Sequence, residues 1–150
     1  MNALGEGRID SEAAAQFYAQ VIHHGDKDKQ GRPYWEHLSR VVALLDSETD
    51  RIVGWLHDVL EDHPERESCL KSRVDSDVWA ACVFLTRVKD QESYAEYIER
   101  IYALRNTTVE HQRAYRVKLA DLCDHLRAGC PDKLVRRYVD AIGVMHGVNC

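Results

Sequence analysis

The chain has 150 residues, a length typical of one domain, and its 45% hydrophobic and 30% charged residues indicate a folded globular protein rather than a disordered one. A formal net charge of -5 gives no general reason to bind nucleic acid or an anionic membrane. No apolar run approaches the roughly 20 residues of a membrane-spanning helix, and residues 1–8, an expected flexible tail, lack a signal-peptide core. We therefore expect a cytoplasmic protein without a membrane partner.

Helical periodicity recurs along the chain, and no stretch alternates convincingly with period two, so the sequence predicts an all-α, single-domain fold. The first helix is predicted to begin at Ser11 and to end at His24, before Gly25. Its expected buried stripe consists of Ala13, Ala14, Phe17, Val21 and Ile22. Further helices are predicted at about residues 34–45, 50–62, 68–73, 78–88, 93–104, 108–128 and 131–145.

The five cysteines are scattered and form no Cys-x-x-Cys pair. This spacing favours reduced thiols over a disulfide framework or a zinc-thiolate site. Cys82 and Cys123 lie on apolar faces of predicted helices, so we expect both to be buried, whereas Cys150 is expected to be exposed.

The segment WLHDVLED, residues 55–62, carries four polar groups within the apolar third predicted helix. Helical geometry stacks His57 on Glu61 and Asp58 on Asp62 and puts all four within one arc. Unpaired charge in an apolar setting is costly, and a bound cation is one way to offset that cost. The alternative for Glu61 and Asp62 is a solvated helix end before Pro64.

Two more candidates lie on other predicted helices. His37 lies on an apolar helix side, where it is either a hydrogen-bonded core residue or a ligand. Asp121 shares a helix face with Lys118 and His125, and its alternative is a salt bridge to Lys118. A set of two imidazoles and two carboxylates is more typical of a Mn²⁺, Fe²⁺, Zn²⁺ or Mg²⁺ site than of a thiolate-type structural site. The set consists of His37, His57, Asp58 and Asp121.

The order His37, His57-Asp58, Asp121 resembles the H…HD…D signature of the HD-domain phosphohydrolases. Residues 23–37, HHGDKDKQGRPYWEH, are similar to the HxGQxRKxGxPYxxHP segment of the (p)ppGpp hydrolase branch, which includes the RelA/SpoT hydrolase domain and small SpoT-like hydrolases. LHDVLED at 56–62, LTR at 85–87 and KLAD at 118–121 are similar to further motifs of that branch. The similarities keep their order from about residue 15 to 128.

This resemblance implies a helical HD-domain fold and a metal-dependent hydrolase that converts ppGpp to GDP and pyrophosphate. It implies one divalent ion, usually Mn²⁺, with Fe²⁺, Zn²⁺ or Mg²⁺ as alternatives. The implied ligands are His37, His57, Asp58 and Asp121. Glu61 and Asp62 would position and deprotonate the attacking water.

An anionic substrate needs cations near the metal. Lys29 and Lys118 are assigned to substrate binding through the resemblance, and Arg87 and Lys89 because they follow the LTR segment, with solvated side chains as the alternative for these two. Tyr97, together with Tyr94, is a candidate wall for a base or ribose, and core packing is its alternative. No role is assigned to His24, His63, His111 or His146.

The chain also departs from the pattern of that branch. Asp28 occupies the position of an Arg that stacks on guanine, and a carboxylate cannot supply a cationic stack. Asp26 replaces Gln, and Leu122 and Asp124-His125 replace Arg and His-Asn. These changes leave open another phosphorylated substrate, such as a dNTP, another nucleotide or NADPH, or a non-catalytic nucleotide sensor. The oligomeric state is also open.

Overall fold

The computed structural model describes residues 7–127 and 129–147. The helices are α1 (Glu12–Ile22), α2 (Tyr34–Ala43), α3 (Glu48–Leu56), α4 (Val59–Asp62), α5 (Glu67–Arg73), α6 (Ser76–Phe84), α7 (Tyr94–Ala103), α8 (Val109–His125) and α9 (Asp132–Met145). Pro64–Arg66 forms a 3₁₀ turn. The described residues form no strand, only an isolated bridge between Lys27 and Pro33. The prediction of an all-α, single-domain fold is confirmed.

Some sequence expectations concern residues that the structure does not describe. Residues 1–6 of the expected tail, Cys150 and the predicted helix end at Ala128 lie outside the described residues. Across residues 7–127 and 129–147, no helix combines the length and the apolar character needed to cross a membrane.

Helix α8 lies at the centre of the fold and contacts α2, α3, α6, α7 and α9. Its buried face carries the apolar side chains Ala114, Val117 and Leu122. The same face also carries buried polar groups, among them Lys118 and Asp121. The helix that anchors the core therefore also brings charged side chains into it.

The prediction of one continuous helix over residues 50–62 is wrong. Helix α3 ends at Leu56 and α4 begins at Val59, with His57 and Asp58 between them. His57 Nδ1 lies 2.7 Å from the Gly54 carbonyl oxygen, where its N–H donates a hydrogen bond. Successive side chains of a regular helix point about 100° apart. At this junction His57 Nε2 nevertheless lies 3.2 Å from Asp58 Oδ2.

Helices α2 and α3 approach each other closely at Gly54. A Cβ atom at this position would lie 2.9 Å from Leu45 Cδ1 and 3.1 Å from Val42 Cγ2. The missing side chain therefore lets the two helices cross tightly, which brings His37 of α2 toward His57.

Three burial predictions are wrong. Phe17 is 53% exposed and Ala13 is exposed as well, because the buried face of α1 consists of Ala15, Tyr18, Ala19 and Ile22 at helical spacing. Cys82 is buried as predicted, but Cys123 is exposed, because it lies about 200° around α8 from the inward-facing Asp121.

An ion-pair network around the buried Asp50 holds α3 against α8. Asp50 is 4% exposed. It accepts hydrogen bonds from Arg113 Nε at 3.0 Å and from Arg116 Nε and Nη2 at 2.6 and 3.0 Å. Burial opposes ionisation, but the hydrogen bonds and charges of Arg116 and Arg113 hold the pKa of Asp50 below its usual value.

We expect Asp50→Ala to lower the free energy of unfolding at pH 7 by about 2–3 kcal/mol, because both arginines lose a charged acceptor. Since a carboxyl with a depressed pKa stabilises the fold only when ionised, the difference from wild type should shrink below about pH 4. Urea denaturation followed by circular dichroism measures it. The matched control is Asp77→Ala, which removes a half-exposed partner 3.6 Å from Arg113 and should cost less than about 1 kcal/mol. Equal losses in the two variants would contradict the assignment.

Candidate metal centre

The structure brings together the four residues predicted as metal ligands. His37 comes from α2, His57 and Asp58 from the α3–α4 junction, and Asp121 from α8. One ligand atom from each lies within 4.8 Å of the others. His37 Nε2 and His57 Nε2 lie 2.9 and 3.3 Å from Asp121 Oδ1.

The second ring nitrogen of each histidine is already engaged. His57 Nδ1–H donates to the Gly54 carbonyl, and His37 Nδ1–H donates to Asp124 Oδ2 at 2.7 Å. Asp124 in turn accepts hydrogen bonds from Arg40 Nε at 2.8 Å and Nη2 at 3.2 Å. Such outer contacts fix the tautomer and orientation of a ligating imidazole. Both Nε2 atoms therefore face the cluster.

Asp124 is a residue whose part in this centre the sequence analysis missed. It was noted only as a departure from the hydrolase pattern. Its position three residues after Asp121 on a helix was the available signal, because that spacing puts both carboxylates on one face.

The contacts of Asp121 fit both interpretations of this residue, as a salt-bridge partner of Lys118 and as a member of the candidate metal cluster. Its Oδ2 accepts a hydrogen bond from Lys118 Nζ at 2.8 Å, while its Oδ1 faces His37 and His57. His125 Nε2 also lies 3.3 Å from Oδ1. A salt bridge to Lys118 and membership of the cluster are thus compatible, because they use different oxygens.

Burial and charge shift the pKa values of the cluster strongly. Burial opposes protonation, yet hydrogen bonds to Asp121 and Asp124 raise the pKa of His37 to about 10. Burial likewise opposes protonation of His57, but the charge of Asp58 and the contact with Asp121 raise its pKa to about 9. The pKa of Asp121 falls well below its usual value, because Lys118 and the neighbouring histidines outweigh the effect of burial.

The donor set fits a divalent cation. Two imidazole nitrogens and two carboxylate oxygens converge, and the surrounding contacts already orient the rings. Tyr34 adds a further outer contact, because its hydroxyl donates to Asp58 Oδ2. Borderline ions such as Mn²⁺, Fe²⁺ and Zn²⁺ match this mixture of nitrogen and oxygen ligands.

Glu61 and Asp62, the predicted catalytic pair, line a cleft of about 620 Å³. Three of the four predicted ligands, His37, Asp58 and Asp121, line the same cleft. Glu61 Oε1 accepts a hydrogen bond from the Arg87 backbone N–H at 2.9 Å, which fixes this side chain on the cleft wall. Burial, together with the charges of Asp58 and Glu61, raises the pKa of Asp62 to about 7. Asp62 can therefore gain or lose a proton near neutral pH.

The predicted substrate-binding residues all line the same cleft. Lys29 Nζ donates to the Tyr138 hydroxyl at 2.9 Å, and the Arg87 guanidinium lies 5.7 Å from the centre of the Tyr94 ring. Lys89 completes the set of predicted cations on the wall. The cleft also contains basic residues that the sequence analysis did not select, namely Lys27, Arg40, Arg127 and Arg137.

Lys118 and Tyr97 lie deeper than the other predicted substrate-binding residues. Lys118 is 7% exposed, and its ammonium group pairs with Asp121. The Tyr97 hydroxyl donates to the Leu85 carbonyl at 2.6 Å, and its ring lies 5.1 Å from Lys118 Nζ. Both residues form the floor of the cleft, and their roles in substrate binding stay predictions.

Asp28 occupies the position where the resemblance implies a guanine-stacking Arg, and its side chain accepts two hydrogen bonds within its own loop. Its Oδ1 accepts hydrogen bonds from the backbone N–H groups of Gln30 at 2.8 Å and Arg32 at 3.0 Å. A carboxylate used in this way stabilises a turn. The side chain thus shapes the loop between α1 and α2.

Comparison with known protein families found no matching family model, and comparison with curated proteins found no match either. The family resemblance in the sequence analysis therefore remains a prediction.

We expect Asp124→Asn to weaken binding of Mn²⁺ or Zn²⁺ by roughly 10- to 100-fold, because His37 loses the carboxylate that orients its ring. Isothermal titration calorimetry on metal-stripped protein measures the affinity. The matched control is Asp132→Asn, which changes an exposed carboxylate at the start of α9 and should leave affinity unchanged. Equal affinity in Asp124→Asn and wild type would contradict this role.

We also expect ion binding at pH 7.5 to release close to two protons per ion. With pKa values of about 10 and 9, His37 and His57 are protonated at this pH, and an ion at Nε2 displaces one proton from each. Affinity should therefore rise with pH and level off above about pH 10. Calorimetry in buffers of different ionisation enthalpy counts the protons. A release near zero would contradict coordination through both histidines.

Proposed function

We propose that this protein is a metal-dependent phosphohydrolase that acts on a nucleotide phosphate or pyrophosphate. The observation that carries this proposal is the convergence of four ligand atoms in a cleft whose walls also hold paired carboxylates and several lysines and arginines. Metal ligands, proton acceptors and cations are the components that hydrolysis of a phosphate ester requires.

A divalent ion bound by His37, His57, Asp58 and Asp121 would offset charge on phosphoryl oxygens and lower the pKa of a nearby water molecule. The Asp62 carboxylate is the proposed acceptor of the proton from that water. Once protonated, Asp62 could return that proton to the leaving group. Glu61, held by the Arg87 backbone N–H, is the proposed partner that orients the water.

The cations of the cleft have a separate proposed task. Lys29, Arg87 and Lys89 lie on the wall rather than in the metal cluster, so their charges are available to phosphate groups. Lys118 acts differently, because its ammonium group offsets the buried charge of Asp121. We assign the first three residues to substrate binding and Lys118 to support of the metal ligand.

Within this class, the most specific activity that the resemblance implies is 3′-pyrophosphohydrolysis of ppGpp. One observation favours a different substrate. Asp28 uses its carboxylate to stabilise a turn at the position where a stacking Arg is expected, so this position offers no cation to guanine. A phosphohydrolase with another nucleotide or NADPH as substrate is thus the second candidate. A non-catalytic sensor is less favoured, because the predicted catalytic pair is present and lines the cleft.

The first activity experiment is a panel of ppGpp, pppGpp, NADPH, NTPs and dNTPs with Mn²⁺, in which both phosphate and pyrophosphate are quantified. Release of pyrophosphate and GDP from ppGpp would support the specific activity. Release from another nucleotide alone would support the second candidate. No release from any substrate, in protein shown to hold Mn²⁺, would contradict a phosphohydrolase for these substrates.

Variants of two neighbouring residues separate metal binding from turnover. Asp58→Ala is expected to abolish turnover and to remove the ion held with His37, His57 and Asp121, because it removes a ligand. Glu61→Gln is expected to keep the ion and to lower kcat by roughly 100-fold or more, since it removes a carboxylate proposed to orient the attacking water. Metal content and kcat on the active substrate measure the two effects. Full activity of Asp58→Ala, or loss of the ion in Glu61→Gln, would contradict the assignment.

A further inference from the structure

We propose that the chain carries a second divalent-cation site formed by His23, Asp26 and His63. His23 follows the last residue of α1, Asp26 lies in the next loop, and His63 separates α4 from the 3₁₀ turn. One ligand atom from each lies within 4.8 Å of the others. None of the three belongs to the ligand set of the first site.

The two imidazoles converge on one carboxylate oxygen. His23 Nδ1 lies 2.9 Å and His63 Nε2 lies 2.6 Å from Asp26 Oδ2. Two neutral imidazoles and one carboxylate form a donor set that binds Zn²⁺, Co²⁺ or Fe²⁺. Because the two neutral imidazoles and the carboxylate carry a net charge of −1, a divalent cation also offsets the charge of the set.

The burial of His23 holds its ring in a fixed orientation toward this cluster. His23 is 1% exposed, and its Nε2 has no hydrogen-bond partner in the described part of the chain. Buried polar atoms are nearly always paired, because an unpaired one loses its hydration without compensation. The contact of Nδ1 with Asp26 is therefore the polar contact that orients the buried ring, and it directs Nδ1 at the oxygen that His63 also approaches.

Glu65 gives His63 the outer contact that ligating histidines commonly have. Its Oε1 lies 3.3 Å from His63 Nδ1, so an N–H at this nitrogen can donate to the carboxylate. The lone pair is then on Nε2, the atom that faces Asp26. Asp26 and His63 line the cleft and are partly exposed, which lets an ion enter from solvent.

Tyr34 lies between this cluster and the first one. Its ring centre lies 5.0 Å from that of His23 and 5.4 Å from that of His37, and its hydroxyl donates to Asp58. The two sites therefore share a wall but no ligand, and each can be removed without changing a ligand of the other.

The test counts ions. Metal-stripped full-length protein is dialysed to equilibrium against Co²⁺, and the cobalt content is measured by mass spectrometry. We expect two ions in wild type, one in Asp26→Asn, one in His63→Gln, one in Asp58→Ala and none in the double variant Asp26→Asn/Asp58→Ala. The matched control is His24→Gln, which removes the exposed histidine next to His23 and should keep two ions.

Glu65→Gln covers the case in which a ligand variant fails to fold, because it leaves all three ligands in place. It is expected to weaken the second ion by roughly 10-fold or more and to leave the first unchanged. One ion in wild type and none in Asp58→Ala would overturn the second site while supporting the first. Two ions in Asp26→Asn would overturn it as well.

Discussion

The Asp121 carboxylate is the group on which both the packing around α8 and the candidate metal centre depend. Its two oxygens contact side chains from α2, from the α3–α4 junction and from α8 itself. A buried carboxylate is costly unless it is paired and hydrogen-bonded, and Lys118 supplies the opposite charge at 2.8 Å. Because Lys118 engages only one oxygen, the other remains directed at the two histidines. The contact that makes burial of Asp121 tolerable therefore also orients it as a ligand.

The same charge balance links metal binding to folding. Asp58 and Asp121 lie close together in a buried cluster, and the protons held by His37 and His57 offset their charge, as the raised pKa values of both rings reflect. An ion that replaces these protons binds the folded chain only, because the four ligands come from three separate parts of the sequence. Binding of this kind stabilises the folded state by mass action. The tight crossing at Gly54 and the Asp50 network then matter for the site, since they hold α2, α3 and α8 in register.

The sequence predicted the helices and the four polar side chains that cluster because both depend on short-range signals. Apolar periodicity marks a helix, and a His or Asp on an apolar helix side marks a buried polar group that needs a partner. The break at His57 and Asp58 has no such signal, because apolar periodicity does not encode local contacts such as that between His57 Nδ1 and the Gly54 carbonyl. Phe17 shows a similar limit. Two overlapping faces of α1 carry apolar residues. Packing against α3 buries the face that contains Tyr18 and leaves Phe17 exposed.

The departures from the hydrolase pattern each have a partner within the fold. Asp28 stabilises the turn after α1, Asp124 orients His37, and Asp26 bonds two histidines. Three separate carboxylates therefore have specific partners around the same cleft. The predicted metal ligands therefore do not by themselves identify the substrate, and guanine recognition is the property for which the resemblance gives least support.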